Sequence, residues 1–339
     1  MASLKNTTLV GTLDVSGYVT TLKPATNDSS NKLATTEFIN TYLGFNRGVF
    51  GGGGNGVMNT IDYITISVPG NAIDFGDLTV ARWGITGTSN ATNNRGVFGG
   101  GYDGTANIDV IDYITIPTPG NAIDFGNLTI IRSYPSATSN GISNRGVFGG
   151  GINGSYLNNI DYITISTLGN AIDFGDLSVA RNILAATSNG TSNRGVFGGG
   201  HNGAYQNVID YITITTLGNA IYFGNLTVSR YGPSATSNGT GNRGVFGGGG
   251  TTASLNTIDY ITITTLGNAI DFGDLTVSRY YPAATSNGTN NRCVFGGGGT
   301  TTGVYDNTID YITITTLSNA IYFGNLTIAR YTLGATSNS

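Results

Sequence analysis

The sequence predicts an all-β protein, a six-bladed propeller with four-stranded blades, and three observations predict it. An N-R-[GC]-V-F-G-G motif recurs at Arg47, Arg95, Arg145, Arg194, Arg243 and Arg292, at spacings of 48, 50, 49, 49 and 49 residues. A fixed long period signals a repeat architecture. Every unit reads as short strands and turns with no helical periodicity. The array is also out of phase with itself. The first copy starts at Arg47 with no A-T-S-N before it, and the last ends at Ala335, Thr336, Ser337 and Asn338 with no R-G-V-F after it. A C-terminal strand that completes the first blade would close the ring, whereas a linear solenoid would carry atypical capping repeats.

The elements follow in order. A-T-S-N is a short strand, here strand A, and a polar turn leads from it to R-G-V-F-G-G, strand B, which ends in glycines. After a loop of changing length comes I-D-Y-I-T-I, strand C, rich in β-branched residues. A turn such as T-L-G-N precedes N-A-I-[DY]-F-G-[DN]-L-[TS]-[VI]-x-R, strand D, with a bulge expected at its glycine. In strand C, Ile61 and Tyr63 point to one face and Ile64 and Ile66 to the other. A sheet apolar on both faces has to be sandwiched between neighbours, which blades stacked in a ring provide.

Residues 46–339 are therefore read as the propeller and 1–45 as a separate N-terminal segment. Residues 8–22 alternate loosely as strands. A short helix follows near 35–43, capped by Thr35 or Thr36 with Glu37 near its positive end. Phe38, Ile39, Tyr42 and Leu43 form the apolar side of this helix and, with Leu13 and Val15 of the strand region, are the residues expected to make the segment's attachment or oligomerisation contacts. Some 45 residues cannot bury a core alone, so this segment is expected to attach to a partner or to oligomerise.

Composition excludes several classes. The 339 residues include 54 Gly but only 10% charged residues, one Cys and one His, with a net charge of −4. Disulfide frameworks, Cys-based zinc sites and multi-His metal clusters are excluded. An acidic chain without a basic stripe is not expected to bind nucleic acid. No run of about 18 apolar residues and no secretory signal is present, so no membrane insertion is expected.

The repeat resembles kelch repeats. An apolar strand ends in paired glycines (Gly99-Gly100, Gly149-Gly150, Gly198-Gly199), a Tyr follows (Tyr113, Tyr162, Tyr211), and then an aromatic precedes the next turn. The usual Trp is Phe here, at Phe75, Phe125, Phe174, Phe223, Phe272 and Phe323. The resemblance implies a ligand-binding propeller without naming the ligand. G-T-L-D-V-S-G (11–17) and N-K-L-A-T-T-E-F-I (31–39) resemble segments of tail fibres and related virion proteins of tailed bacteriophages. That resemblance implies a virion structural protein, a homotrimer, whose N-terminal part attaches to other tail or fibre proteins.

Other motifs carry blander meanings. G-G-G-Y-D-G (99–104) lacks the nine-residue period of calcium-binding repeats. The glycine runs lack the G-K-[ST] and helix of a phosphate loop. D-F-G triplets stand without the remaining kinase signatures, and the sequons at Asn90, Asn225 and Asn325 lack a secretory context. No metal or cofactor is expected. Cys293 replaces a strand glycine and reads as drift rather than as a nucleophile.

Asp62, Asp112, Asp161, Asp210, Asp259 and Asp310 share a strand face with isoleucines. Burial there is costly without a partner. The repeated Arg residues, those that open R-G-V-F and those that end the F-G-[DN]-L run (Arg82, Arg132, Arg181, Arg230, Arg279 and Arg330), are the obvious candidates, within a blade or across a boundary. Recurrence in every unit marks these pairs as structural, since catalysis needs a unique constellation.

Function should therefore lie in what differs between blades. A–B and C–D turns fall on one face and are nearly uniform; B–C and D–A loops fall on the other and vary. The B–C loops hold Tyr102, Tyr156, His201, Tyr205 and Tyr305; the D–A loops hold Trp83, Tyr134, Tyr231, Tyr280, Tyr281 and Tyr331. Such rings suit stacking on sugars or anchoring a protein surface. They are expected to form a receptor-binding face, with a host glycan as ligand. D-F-G-D alternates with F-G-N around the ring, giving it a pseudo-threefold character. The expected function is attachment of a virion to its host, without enzymatic activity. The alternatives are a purely structural virion component and a glycan-cleaving depolymerase, whose non-repeat acids would be Asp103, Asp109 and Asp306.

Overall fold

The computed structural model describes residues 46–90, 94–139, 144–188, 193–237, 242–287 and 291–337. The N-terminal residues Leu13, Val15, Phe38, Ile39, Tyr42 and Leu43, with the strands and helix expected around them, lie outside the described residues. Within the described part the fold is all-β: six antiparallel four-stranded blades, each ordered A-B-C-D. The second blade is representative, with strands Thr86–Asn90, Arg95–Gly99, Val110–Thr115 and Ile123–Asn127. Gly334–Ser337 pairs with Arg47–Gly51 and supplies the inner strand of the first blade, so the chain's last strand closes the ring as expected.

The A strands lie innermost, each beside the next around the axis. Their serines form a closed cycle in which each hydroxyl donates to the carbonyl of the preceding serine: Ser139 to Ser89, Ser188 to Ser139, Ser237 to Ser188, Ser286 to Ser237, Ser337 to Ser286 and Ser89 to Ser337. The core lies between blades rather than within them. Val49, Ile61, Phe75, Leu78 and Ile85 face Phe98, Ile114, Ile116 and Ala122 of the next blade, and five equivalent clusters complete the circle.

Strand D carries the expected irregularity. Ile61 pairs with Gly76 and Asp62 with Asp74, which leaves Phe75 as the extra residue of a bulge. The G-N-A segment of the neighbouring blade covers the end of this edge. Ala122 N–H donates to the Asp77 carbonyl at 2.7 Å, while Asp77 N–H donates to Asn121 Oδ1 at 3.1 Å. The same pairing recurs around the ring, ending with Ala72 on Asn325. Covered edges resist pairing with foreign strands, and this explains why the turn is so uniform.

The Asp–Arg pairs are buried and run between blades. Arg82 meets Asp112, and the series proceeds through Arg132–Asp161, Arg181–Asp210, Arg230–Asp259 and Arg279–Asp310 to Arg330–Asp62, at 2.5–3.0 Å. All twelve side chains are fully shielded from solvent in these pairs. Each carboxylate also accepts from the hydroxyl of the preceding unit's L-[TS] motif at 2.5–2.6 Å, as from Thr129 to Asp161. Arg181 approaches Asp210 Oδ2 at 3.0 Å without hydrogen-bond alignment, whereas Arg132, Arg230 and Arg279 donate directly. Desolvation pulls the pKa of these guanidinium groups down and the facing carboxylates oppose it. Cys293 is fully buried, and burial pushes its thiol well up, out of the reactive range.

Candidate functional site

The variable face is assembled by the backbone before any side chain is considered. In the second blade the A–B ladder sets Thr86 opposite Gly99 and breaks at the glycines that follow. It resumes in the same register as the bridge Trp83–Tyr102. Tyr102 then turns back to pair with Asn107. Equivalent bridges place Ser133 on Ile152, Asn182 on His201, Tyr231 on Gly250, Tyr280 on Gly299 and Tyr331 on Gly54. The B–C and D–A loops thus share one end of every blade. In the third blade the loop is regular enough to form a two-stranded hairpin, Ile152–Asn153 with Ser155–Tyr156.

The glycines at the break have a steric role. Gly100 has a φ of +67°, and a Cβ there would lie 2.8 Å from the Arg132 carbonyl. Its successor, Gly101, donates to that same carbonyl at 2.9 Å. Backbone of the D–A connection that leaves the same blade therefore sits where a side chain would be, and the loops are held at fixed positions.

All eleven residues singled out from the sequence belong to one connected set of ring contacts. Tyr156 touches His201, which touches Tyr205 and Tyr231. Tyr231 continues to Tyr280 and Tyr281, and Tyr281 to Tyr331. Tyr305 stacks on Tyr331 at 4.9 Å with planes only 5° apart. From Tyr281 the other branch runs through Tyr134 to Trp83 and on to Tyr102. Tyr205 is exposed and the other ten are half-buried. Burial, then neighbouring tyrosines, raises the pKa of Tyr231, Tyr280 and Tyr331.

A second feature, invisible to the motif reading, surrounds the axis at this end. Gly84, Tyr134, Ile183, Gly232, Tyr281 and Thr332 all adopt left-handed backbone angles, φ between +55° and +65°. Each N–H donates to the carbonyl of the preceding member, closing a ring of six bonds of 2.7–3.2 Å. Left-handed Ile and Thr are costly; the ring holds them there. The order Gly-Tyr-Ile, Gly-Tyr-Thr gives this mouth a twofold character, in contrast to the threefold alternation on the outer strands. The channel beneath encloses about 100 Å³, less than the about 300 Å³ of a small ligand pocket. A ligand would therefore lie across the face rather than inside the ring.

Polar groups flank the rings. Gln206 donates to Asn202 at 2.7 Å, Asn107 donates to the Ile152 carbonyl at 3.2 Å, and His201 Nδ1 lies 3.2 Å from the Tyr156 hydroxyl. Asp103 accepts from Thr105 and Ala106 of its own loop, which holds its carboxyl below the usual range, the Thr105 hydroxyl contributing most. Val304, next to Tyr305 in the same loop, is 60% exposed. An aliphatic residue in a variable loop gives no signal of its own. Among the described residues, no three His, Cys, Asp or Glu side chains converge as a metal site would require. No helix among them is long and apolar enough to cross a membrane.

Compared with known proteins, the chain matches no family pattern, and no curated protein emerges as a relative.

Proposed function

We propose that this protein is a tail fibre or tip component of a tailed bacteriophage virion that binds a glycan on the host surface through the aromatic end of its propeller. The observation that carries the reading is the single connected set of eleven rings on the one variable face. Rigid rings with polar tips, set among Asn, Ser and Thr, suit sugar faces and hydroxyls. The virion assignment rests on the resemblance carried by residues 11–17 and 31–39, and with it come attachment to other tail proteins and trimerisation through residues 1–45. The face binds without turnover in this reading; of the non-repeat acids Asp103, Asp109 and Asp306, the first and last accept hydrogen bonds from their own loops.

Replacing Tyr231 and Tyr280 by Ala tests it. The variant is expected to lose attachment to host cells while its far-UV circular dichroism stays that of the wild type. Undiminished attachment by a folded variant would refute the proposal.

One observation favours assembly as a second role. Ile73, Ile123, Ile172, Ile221, Ile270 and Ile321 on the outer strands are 57–58% exposed. A perimeter of this kind fits protein–protein contacts within a particle.

A further inference from the structure

Resting on that reading, we infer that the ligand of the aromatic face is an uncharged glycan, and that acidic surface polysaccharides are excluded. The inference comes from where the propeller puts its cations. Residues 46–339 contain no Lys, and their basic side chains are twelve Arg. Six of these are fully buried against carboxylates between the blades. The other six begin the B strands, at the end opposite the variable loops. There each guanidinium lies over a Tyr ring of its own blade, 4.2–4.6 Å from the centroid. Each also donates to a carbonyl at the end of the next blade's C strand, from Arg47 on Ile116 to Arg292 on Ile66.

No guanidinium or ammonium of the propeller can thus reach a ligand on the aromatic face. Carboxylates, sulfates and phosphates are recognised by such groups, and by Arg above all. His201 is the one side chain at this face able to take a positive charge, and its Nδ1 accepts from Gly203 N–H at 3.4 Å. The fixed charges of the face itself are negative. Asp103 is half-buried, and Asp306 retains 15% exposure beside its buried partner Arg279. A polyanion would meet repulsion and lose hydration with nothing in return. A neutral sugar meets no such repulsion, and its hydroxyls exchange water for protein hydrogen bonds that require no counter-charge.

The test uses the full chain on immobilised neutral oligosaccharides and on uronate-, sialate- and phosphate-bearing ones, with the Tyr231→Ala/Tyr280→Ala variant as control. The expected ligands are neutral, their affinity changes by less than about twofold between about 0.05 and 0.5 M NaCl, and the variant does not bind them. Acidic glycans bound by the wild type but not by the variant, more weakly in salt, would overturn the uncharged-ligand inference and leave the receptor face standing. A basic protein or peptide bound in place of any glycan, or attachment to cells unaffected by periodate oxidation of their glycans, would overturn both.

Discussion

Tyr134 and Tyr281 face one another across the mouth of the central channel, their rings 5.9 Å apart and inclined by 27°. They stand three places apart in the six-membered backbone ring and so on opposite sides of the axis. Burial, before any neighbouring tyrosine, pushes both phenols far above the ordinary value.

Because folding raises these two pKa values, their stabilisation is complete below the unfolded tyrosine pKa of about 10 and is lost as pH rises beyond it. Thermal unfolding at about pH 9 and pH 11 should therefore show a loss for the wild type that is smaller in Tyr134→Phe/Tyr281→Phe. Equal losses would show that the mouth does not suppress ionisation.

Asp161 makes a sharper test of the blade interface. Asp161→Asn removes the charge facing Arg132 at 2.5 Å and leaves a buried guanidinium uncompensated, at a cost of about 3–5 kcal/mol. Denaturant unfolding should give that loss, and Arg132→Met/Asp161→Leu should recover part of it. Unchanged stability of Asp161→Asn would contradict the account of the pair.

Two glycines six residues apart should respond oppositely. A Cβ on Gly126 would sit 2.5 Å from the Gly169 carbonyl, at a φ of +145°, whereas one on Gly120 meets nothing within 4 Å. Gly126→Ala is expected to cost at least about 2 kcal/mol, and Gly120→Ala no more than about 0.5 kcal/mol. Calorimetry on the two variants checks the difference.

The closing strand should be indispensable. A chain ending at Thr332 loses the inner strand of the first blade and the Val49–Thr336 and Phe50–Ala335 pairings. The expected cost exceeds about 5 kcal/mol, enough to abolish a cooperative transition. A truncated chain that still unfolds in one sharp step would rule out closure by shared sheet.

Much of this architecture was legible in the sequence. The six copies of N-R-[GC]-V-F, the I-D-Y-I-T-I strand apolar on both faces and the unmatched final A-T-S-N were enough for six blades and a shared first sheet. The Asp–Arg pairing was legible as a necessity, since a carboxylate among isoleucines must find a partner. Its direction was not, because period alone cannot say whether Arg82 turns to Asp62 or to Asp112.

The sequence by itself determined the repeat, the strand order and the division into a uniform and a variable end. These depend on local pattern and on alternation along each strand. Tertiary structure alone decided that Arg82 meets Asp112 in the next blade, that Tyr134 and Tyr281 meet across the mouth, and that no arginine reaches the aromatic face. Those relations depend on the angle between neighbouring blades and on closing a ring across nearly 300 residues. No sequence neighbourhood encodes that geometry.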